Sequence, residues 1–151
     1  MREFQVKTTL DTKPTFRKPE VFYIIRGASD YISFNVRNYG IDDSSYPTGQ
    51  EPVLSDITLM INYLSTERDT AGYYTRKLDS FKLSEDPNFS YDQETGEVSY
   101  SLTPEYTKTF APADIDEMTK VEIALELAGG VIQIYELPGF VVEDSLYSKL
   151  N

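Results

Sequence analysis

The sequence predicts an all-β domain, an antiparallel β-sandwich of Ig-like or jelly-roll-like type with little helix. Three observations carry that prediction. Apolar residues recur with period two, as where Val121, Ile123, Leu125 and Leu127 alternate with Glu122, Ala124 and Glu126, the pattern of a strand with one buried and one wet face. No window sustains a helical period over three turns. Turn signals such as Asp92-Gln93-Glu94-Thr95-Gly96 and Gly129-Gly130 separate the short apolar runs, at intervals near those of sandwiches. Closure into a barrel is the alternative, which periodicity alone does not separate.

The stretch Val121 to Val142 is the expected centre of the fold. Gly129-Gly130 accepts the positive φ values of a tight hairpin, so Val131 to Tyr135 should return antiparallel onto Val121 to Leu127. Leu137-Pro138-Gly139 reads as a second turn, after which Phe140-Val141-Val142 forms a third strand. A three-strand meander of this kind needs a second layer on its apolar face.

In chain order, Phe4, Val6, Thr8 and Leu10 alternate as a first strand, and Asp11 to Glu20, with Pro14 and Pro19, crosses without regular structure. Val21 to Ile25 is a short apolar run, either buried on both faces or docked at an edge. Tyr31 to Arg37 alternates with Ile32, Phe34 and Val36 inward, and Asn38-Tyr39-Gly40 ends it. Ile41 to Pro52 is a polar loop. Ile57 to Leu64 is a long strand whose second face is partly apolar, and Ser65 to Thr75 a second polar loop. Leu78, Phe81, Leu83 and Phe89 lie in a less regular stretch. Val98, Tyr100 and Leu102 alternate after the Asp92 turn. Thr103-Pro104 places an N-cap residue before proline at the first helical position, which starts one turn of helix, and Asp114 to Met118 reads as another.

Length bounds the chain to one domain of 151 residues, read as a sandwich over 1–144 and a tail over 145–151. Its 14 Lys plus Arg against 25 Asp plus Glu give a net charge of −11 with no basic cluster. Phosphate backbones and anionic membrane surfaces are repelled, so nucleic acid is not an expected partner. The chain has no Cys and no His, which removes thiol nucleophiles, Cys/His zinc sites, imidazole acid-base catalysis and the Ser-His-Asp arrangement. Twelve Tyr and eight Phe with no Trp suit half-buried pleated surfaces. Neither a signal peptide nor a membrane span is expected.

Little catalytic chemistry remains. Asp42-Asp43 lacks the spacing of an EF-hand, and no metal or cofactor is expected. Carboxylate-only glycoside hydrolysis needs two acids across a cleft, whereas Glu122 and Glu126 lie on the wet face of a strand. Gly129-Gly130 lacks the lysine and following helix of a phosphate loop. Loop tyrosines, Tyr39, Tyr46, Tyr73 and Tyr74 with Tyr106, offer an aromatic platform for a sugar ring, a carbohydrate-binding reading that stands as the alternative function. The tail offers the other candidate: Leu146, Tyr147 and Leu150, spaced i,i+3 and i,i+4, share one face if helical. The nine residues Glu143 to Asn151 do not hold a helix in isolation, so such a face needs a partner. The plainer reading is a frayed terminus folding back on its own sandwich.

The order of these signals resembles a known family. Ile32-Ser33-Phe34-Asn35-Val36 is followed by Gly49-Gln50-Glu51-Pro52-Val53-Leu54-Ser55 and Ile57 to Ile61, then Asp92 to Gly96 with Glu97 to Pro104, and finally Phe140-Val141-Val142-Glu143-Asp144-Ser145-Leu146. From about Lys7 to Leu146 this layout is similar to the N-terminal domain of the baseplate upper protein family of phages of Gram-positive hosts. The resemblance implies a β-rich, non-enzymatic adaptor that docks a fibre or receptor-binding module onto a phage tail. It implies other tail or baseplate proteins as partners, homo-oligomers in the assembly, and residence in the virion after synthesis in the host cytoplasm.

Overall fold

The computed structural model describes residues 4–7, 22–39, 41, 53–113 and 115–150. Among the described residues nine strands form two sheets packed face to face, the predicted all-β sandwich. The smaller sheet has the order β1-β3-β7-β6, built from β1 (Phe4–Lys7), β3 (Asp30–Asn35), β6 (Phe89–Tyr91) and β7 (Glu97–Leu102). The larger has the order β2-β9-β8-β4-β5, from β2 (Phe22–Ile25), β4 (Leu54–Arg68), β5 (Tyr74–Lys82), β8 (Thr119–Leu127) and β9 (Val131–Glu143). All pairs are antiparallel except β2 with β9, which is parallel.

Alternation places the core. Ile57, Leu59 and Ile61 of β4 stand opposite Leu125, Ile123 and Val121 of β8, and all six side chains are fully buried. Ile32, Phe34, Val98 and Leu102 of the smaller sheet close over them. Aromatic rings fill one end of the interior, with Phe110 at 4.7 Å from Tyr63 and 4.9 Å from Tyr106, centroid to centroid. Ring edges meeting ring faces at these separations add to the burial itself. As the sequence predicts, Thr103 caps a helical turn, α1 (Pro104–Thr107), its hydroxyl accepting from the Tyr106 amide at 3.2 Å. A 3-10 turn at Ile115–Glu117 falls inside the predicted second turn.

The expected three-strand meander is two strands. β9 runs unbroken through Leu137-Pro138-Gly139, and its register on β8 steps from Val121↔Leu137 to Thr119↔Phe140, three residues against two. That extra residue is a bulge, the place in a sheet where proline, which lacks an N–H, is tolerated. Beyond it, Phe140 to Glu143 gain β2 as a parallel neighbour, so the Val21 to Ile25 run is a docked edge. Ser65 to Thr75 is mostly strand. β4 extends to Arg68 and β5 begins at Tyr74, leaving Asp69 to Tyr73 as the turn, where Asp69 Oδ1 accepts from the amides of Ala71 and Tyr73, both at 2.9 Å. The less regular stretch after it resolves into β5 and β6. β3 ends at Asn35, before the predicted Arg37, and a 3-10 turn follows at Val36–Tyr39. The loop of Ile41 to Pro52, apart from residue 41, lies outside the described residues, as do Thr8 to Glu20.

Candidate functional site

The C-terminal candidate is built where three turns meet. Between β2 and β3, Gly27 adopts φ +82°, and a Cβ there would stand 3.3 Å from both the Ser148 backbone and the Tyr147 ring. Glycine therefore lets the terminal turn seat on the β2–β3 turn. Thr107 of α1 is wholly buried beneath it. Its Oγ1 accepts from the Gly27 amide at 3.0 Å and donates to the Ala28 carbonyl at 2.9 Å.

Arg26 and Asp144 clamp the assembly. The Arg26 guanidinium donates to Asp144 Oδ1 at 2.8 Å and to the Lys108 carbonyl at 3.0 Å, so one fork holds the end of β9 and the end of α1 together. Ser145 Oγ donates to the Arg26 carbonyl at 2.6 Å and accepts from the Ser148 amide at 3.0 Å. Ser148 Oγ donates to Asp144 Oδ1 at 2.8 Å. The Ser148 hydroxyl first, and after it the Ser145 amide and the Arg26 cation, hold the Asp144 carboxyl below its usual range, against the opposing effect of burial.

What the clamp presents is apolar. Leu146 is 85 % exposed, Tyr147 64 % and Leu150 61 %. The turn carrying them is 3-10 rather than α-helical, over Tyr147–Lys149, which is the shorter element a few residues can close. Its exposed side chains are not folded back into the sandwich.

Among the described residues the tyrosines do not come together as a platform. Tyr39 is a core residue, 2 % exposed, because the 3-10 turn after β3 carries its ring inward to 4.5 Å from Tyr135 and 6.5 Å from Phe34. Tyr46 lies outside the described residues. Tyr73 is exposed at the β4–β5 turn, while the Tyr74 ring lies under the Arg68 guanidinium at 4.3 Å. Tyr106 is turned inward, its hydroxyl donating to Asp79 Oδ2 at 2.8 Å beside Tyr63, which donates to the same oxygen at 2.8 Å. Burial first, and then these bonds to a carboxylate, push the Tyr63 hydroxyl up to about 12 and the Tyr106 hydroxyl higher.

Sequence reasoning singled out Leu146, Tyr147 and Leu150, which the structure places on the exposed terminal turn, but not the residues that fix that turn. Asp144-Ser145 with Ser148 three residues after Ser145 was the available signal, since short hydroxyl and carboxyl side chains bond the backbone a few residues on. Arg26 gave none, being 118 residues from its partner.

Glu122 is exposed on β8, and Glu126 stands 3.9 Å from Lys82. Among the described residues no group of three His, Cys, Asp or Glu is placed to hold a metal ion, and no helix is long and apolar enough to cross a membrane. No protein-family model matches the chain, and no curated protein matches it in sequence.

Proposed function

We propose that this chain is a structural, non-enzymatic component of a phage tail or baseplate, an all-β adaptor that docks onto neighbouring tail proteins through its C-terminal turn. The observation that carries the reading is the clamped turn itself. Leu146, Tyr147 and Leu150 stand in water on a segment fixed by Arg26, Asp144, Ser145 and Ser148. An apolar group held rigid while exposed is pre-organised for a partner, because the ordering cost of binding is already met within the domain. The resemblance of the strand layout to baseplate upper protein domains supports the same reading and supplies the tail context. The acidity of the chain supports protein rather than nucleic-acid partners.

The test is co-assembly. Deleting residues 145 to 151 should leave the domain folded and reduce its co-sedimentation with the tail proteins encoded beside it. Replacing Leu146, Tyr147 and Leu150 together by serine keeps the clamp and should have the same effect. Unaltered co-sedimentation of the triple-serine protein would remove the turn as the docking element.

A further inference from the structure

The larger sheet carries a second surface, separate from the C-terminal turn, and its charges are sorted by strand. On its outer face β5 presents Arg76, Leu78, Ser80 and Lys82, two cations and no carboxylate. On the same face, across β4, β8 and β9 present Glu122, Glu126 and Glu136, with Lys120 the cation among them. Between the two halves lies β4, whose Met60 is only half-buried. A cavity of about 610 Å³ opens here, with Met60, Leu78 and Met118 among its lining. Leu78 is 66 % exposed although it belongs to a regular strand.

We infer that this face is a self-association surface on which a second copy of the chain packs, sheet against sheet, about a two-fold axis running along β4. The register supplies the argument. Lys82 and Ala124 flank Thr58 on its two sides, and Ser80 and Glu122 flank Met60. An axis parallel to β4 exchanges the two sides. It lays Lys82 of one copy over Ala124 of the other, between Glu122 and Glu126, and lays Ser80 over Glu122. Met60 meets its own counterpart at the axis. Lys82 of each copy thus sits over the Glu122–Glu126 side of the other, twice over, as an isologous interface requires, while Leu78 lies over Lys120 and β9 stays outside the overlap. On a chain of net charge −11, two copies repel unless the approaching faces are complementary in this way. Methionine at the axis is the adaptable apolar anchor that such a contact buries.

This inference rests on the sheet and not on the docking role of the turn, and one experiment separates them. Sedimentation velocity of the whole chain over a micromolar to millimolar series should show a monomer–dimer equilibrium that weakens with added salt. Lys82→Glu, and Met60→Glu, which sets like charges against each other at the axis, should each raise the dimer dissociation constant about tenfold or more, with circular dichroism reporting an unchanged fold. The double exchange of Lys82→Glu with Glu126→Lys restores opposite charges across the axis and should recover most of the affinity. Deletion of residues 145 to 151 should leave the equilibrium in place. A monomer throughout the series overturns the inference. So does a dimer indifferent to both substitutions, or one lost only with residues 145 to 151. If Met60→Glu fails to fold, Lys82→Glu and its charge-exchanged partner decide alone.

Discussion

Gly139 lies against the carbonyl oxygen of Thr119, in the bulge where β9 gains a residue on β8, and a Cβ at this position would collide with that oxygen. The obstacle is backbone in a central strand, which has no free direction in which to yield. Gly139→Ala should therefore destabilise the domain by about 3 kcal/mol, at the upper end for overpacked interiors. Gly129→Ala provides a contrast. It strains a turn at φ +85° but meets nothing within 4 Å, so its cost should be nearer 1 kcal/mol. Urea midpoints of the two variants check the order. Equal midpoints would mean that the bulge adjusts.

Leu125 tests the core that the sequence placed at the centre. It is fully buried on β8, paired with Ile57 of β4 on one side and Gln133 of β9 on the other. Leu125→Ala removes buried carbon from a site with strands on both sides, which limits collapse, so a loss of about 2 to 5 kcal/mol is expected. A urea midpoint unchanged within error would contradict the observed face.

Leu125 also shows why the core was legible in the sequence while the site was only half so. Burial in a sheet follows a local rule, since period two puts every second side chain on the same face, and Ile32, Phe34, Val98 and Tyr100 obey it. Gly139 and Pro138 gave the opposite impression locally, because the same two residues that make turns also make bulges. Only the pairing of Thr119 with Phe140 decides between them. Tyr39 was misplaced for a related reason. Asn38 and Gly40 mark a chain reversal, but the acceptor for the Tyr135 hydroxyl is the Tyr39 carbonyl, 96 residues away, and that contact has no local signature. The apolar residues of the terminal turn could be read directly, whereas the clamp beneath them joins Arg26, Lys108 and Asp144, brought together only by the completed fold.

Asp79 sits on the inward face of β5 and accepts from both Tyr63 and Tyr106. Asp79→Ala leaves two part-buried hydroxyls without their acceptor, and each such loss costs about 1 to 3 kcal/mol. A net destabilisation of about 2 kcal/mol or more is expected, with α1 the first element to loosen, because Tyr106 is its attachment to β5. The tyrosines also fix an alkaline limit. Their folded pKa values lie above the ordinary 10, with Tyr63 near 12, so the unfolded chain releases these protons first. Stability is complete below pH 10 and falls as the pH rises through the folded values. Ultraviolet titration of phenolate should show a fraction of tyrosines ionising only on unfolding. In Asp79→Ala that fraction should titrate earlier, and an unchanged titration would place the shift elsewhere.

Asp144 sets the corresponding acid limit for the terminal turn. Its carboxylate accepts from Ser148 Oγ, the Ser145 amide and Arg26, and these hold its folded pKa below the ordinary carboxylate value. With a depressed pKa the unfolded state binds the proton more readily, so the contribution is present above about pH 4 and is lost as pH falls through the folded value. The carboxylate is largely in water, with 36 % of its side chain exposed, so screening keeps the effect local to the turn rather than global. Hydrogen exchange at the Ser148 amide, which is bonded to Ser145 Oγ, reads that opening directly. Its protection should fall on acidification while amides of β4 and β8 remain protected. Asp144→Asn should show the low protection already at neutral pH, and added salt should reduce the difference between the two proteins. If Ser148 exchanges alike in both at neutral pH, the Arg26–Asp144 pair does not hold the turn, and the serine bonds alone present Leu146, Tyr147 and Leu150.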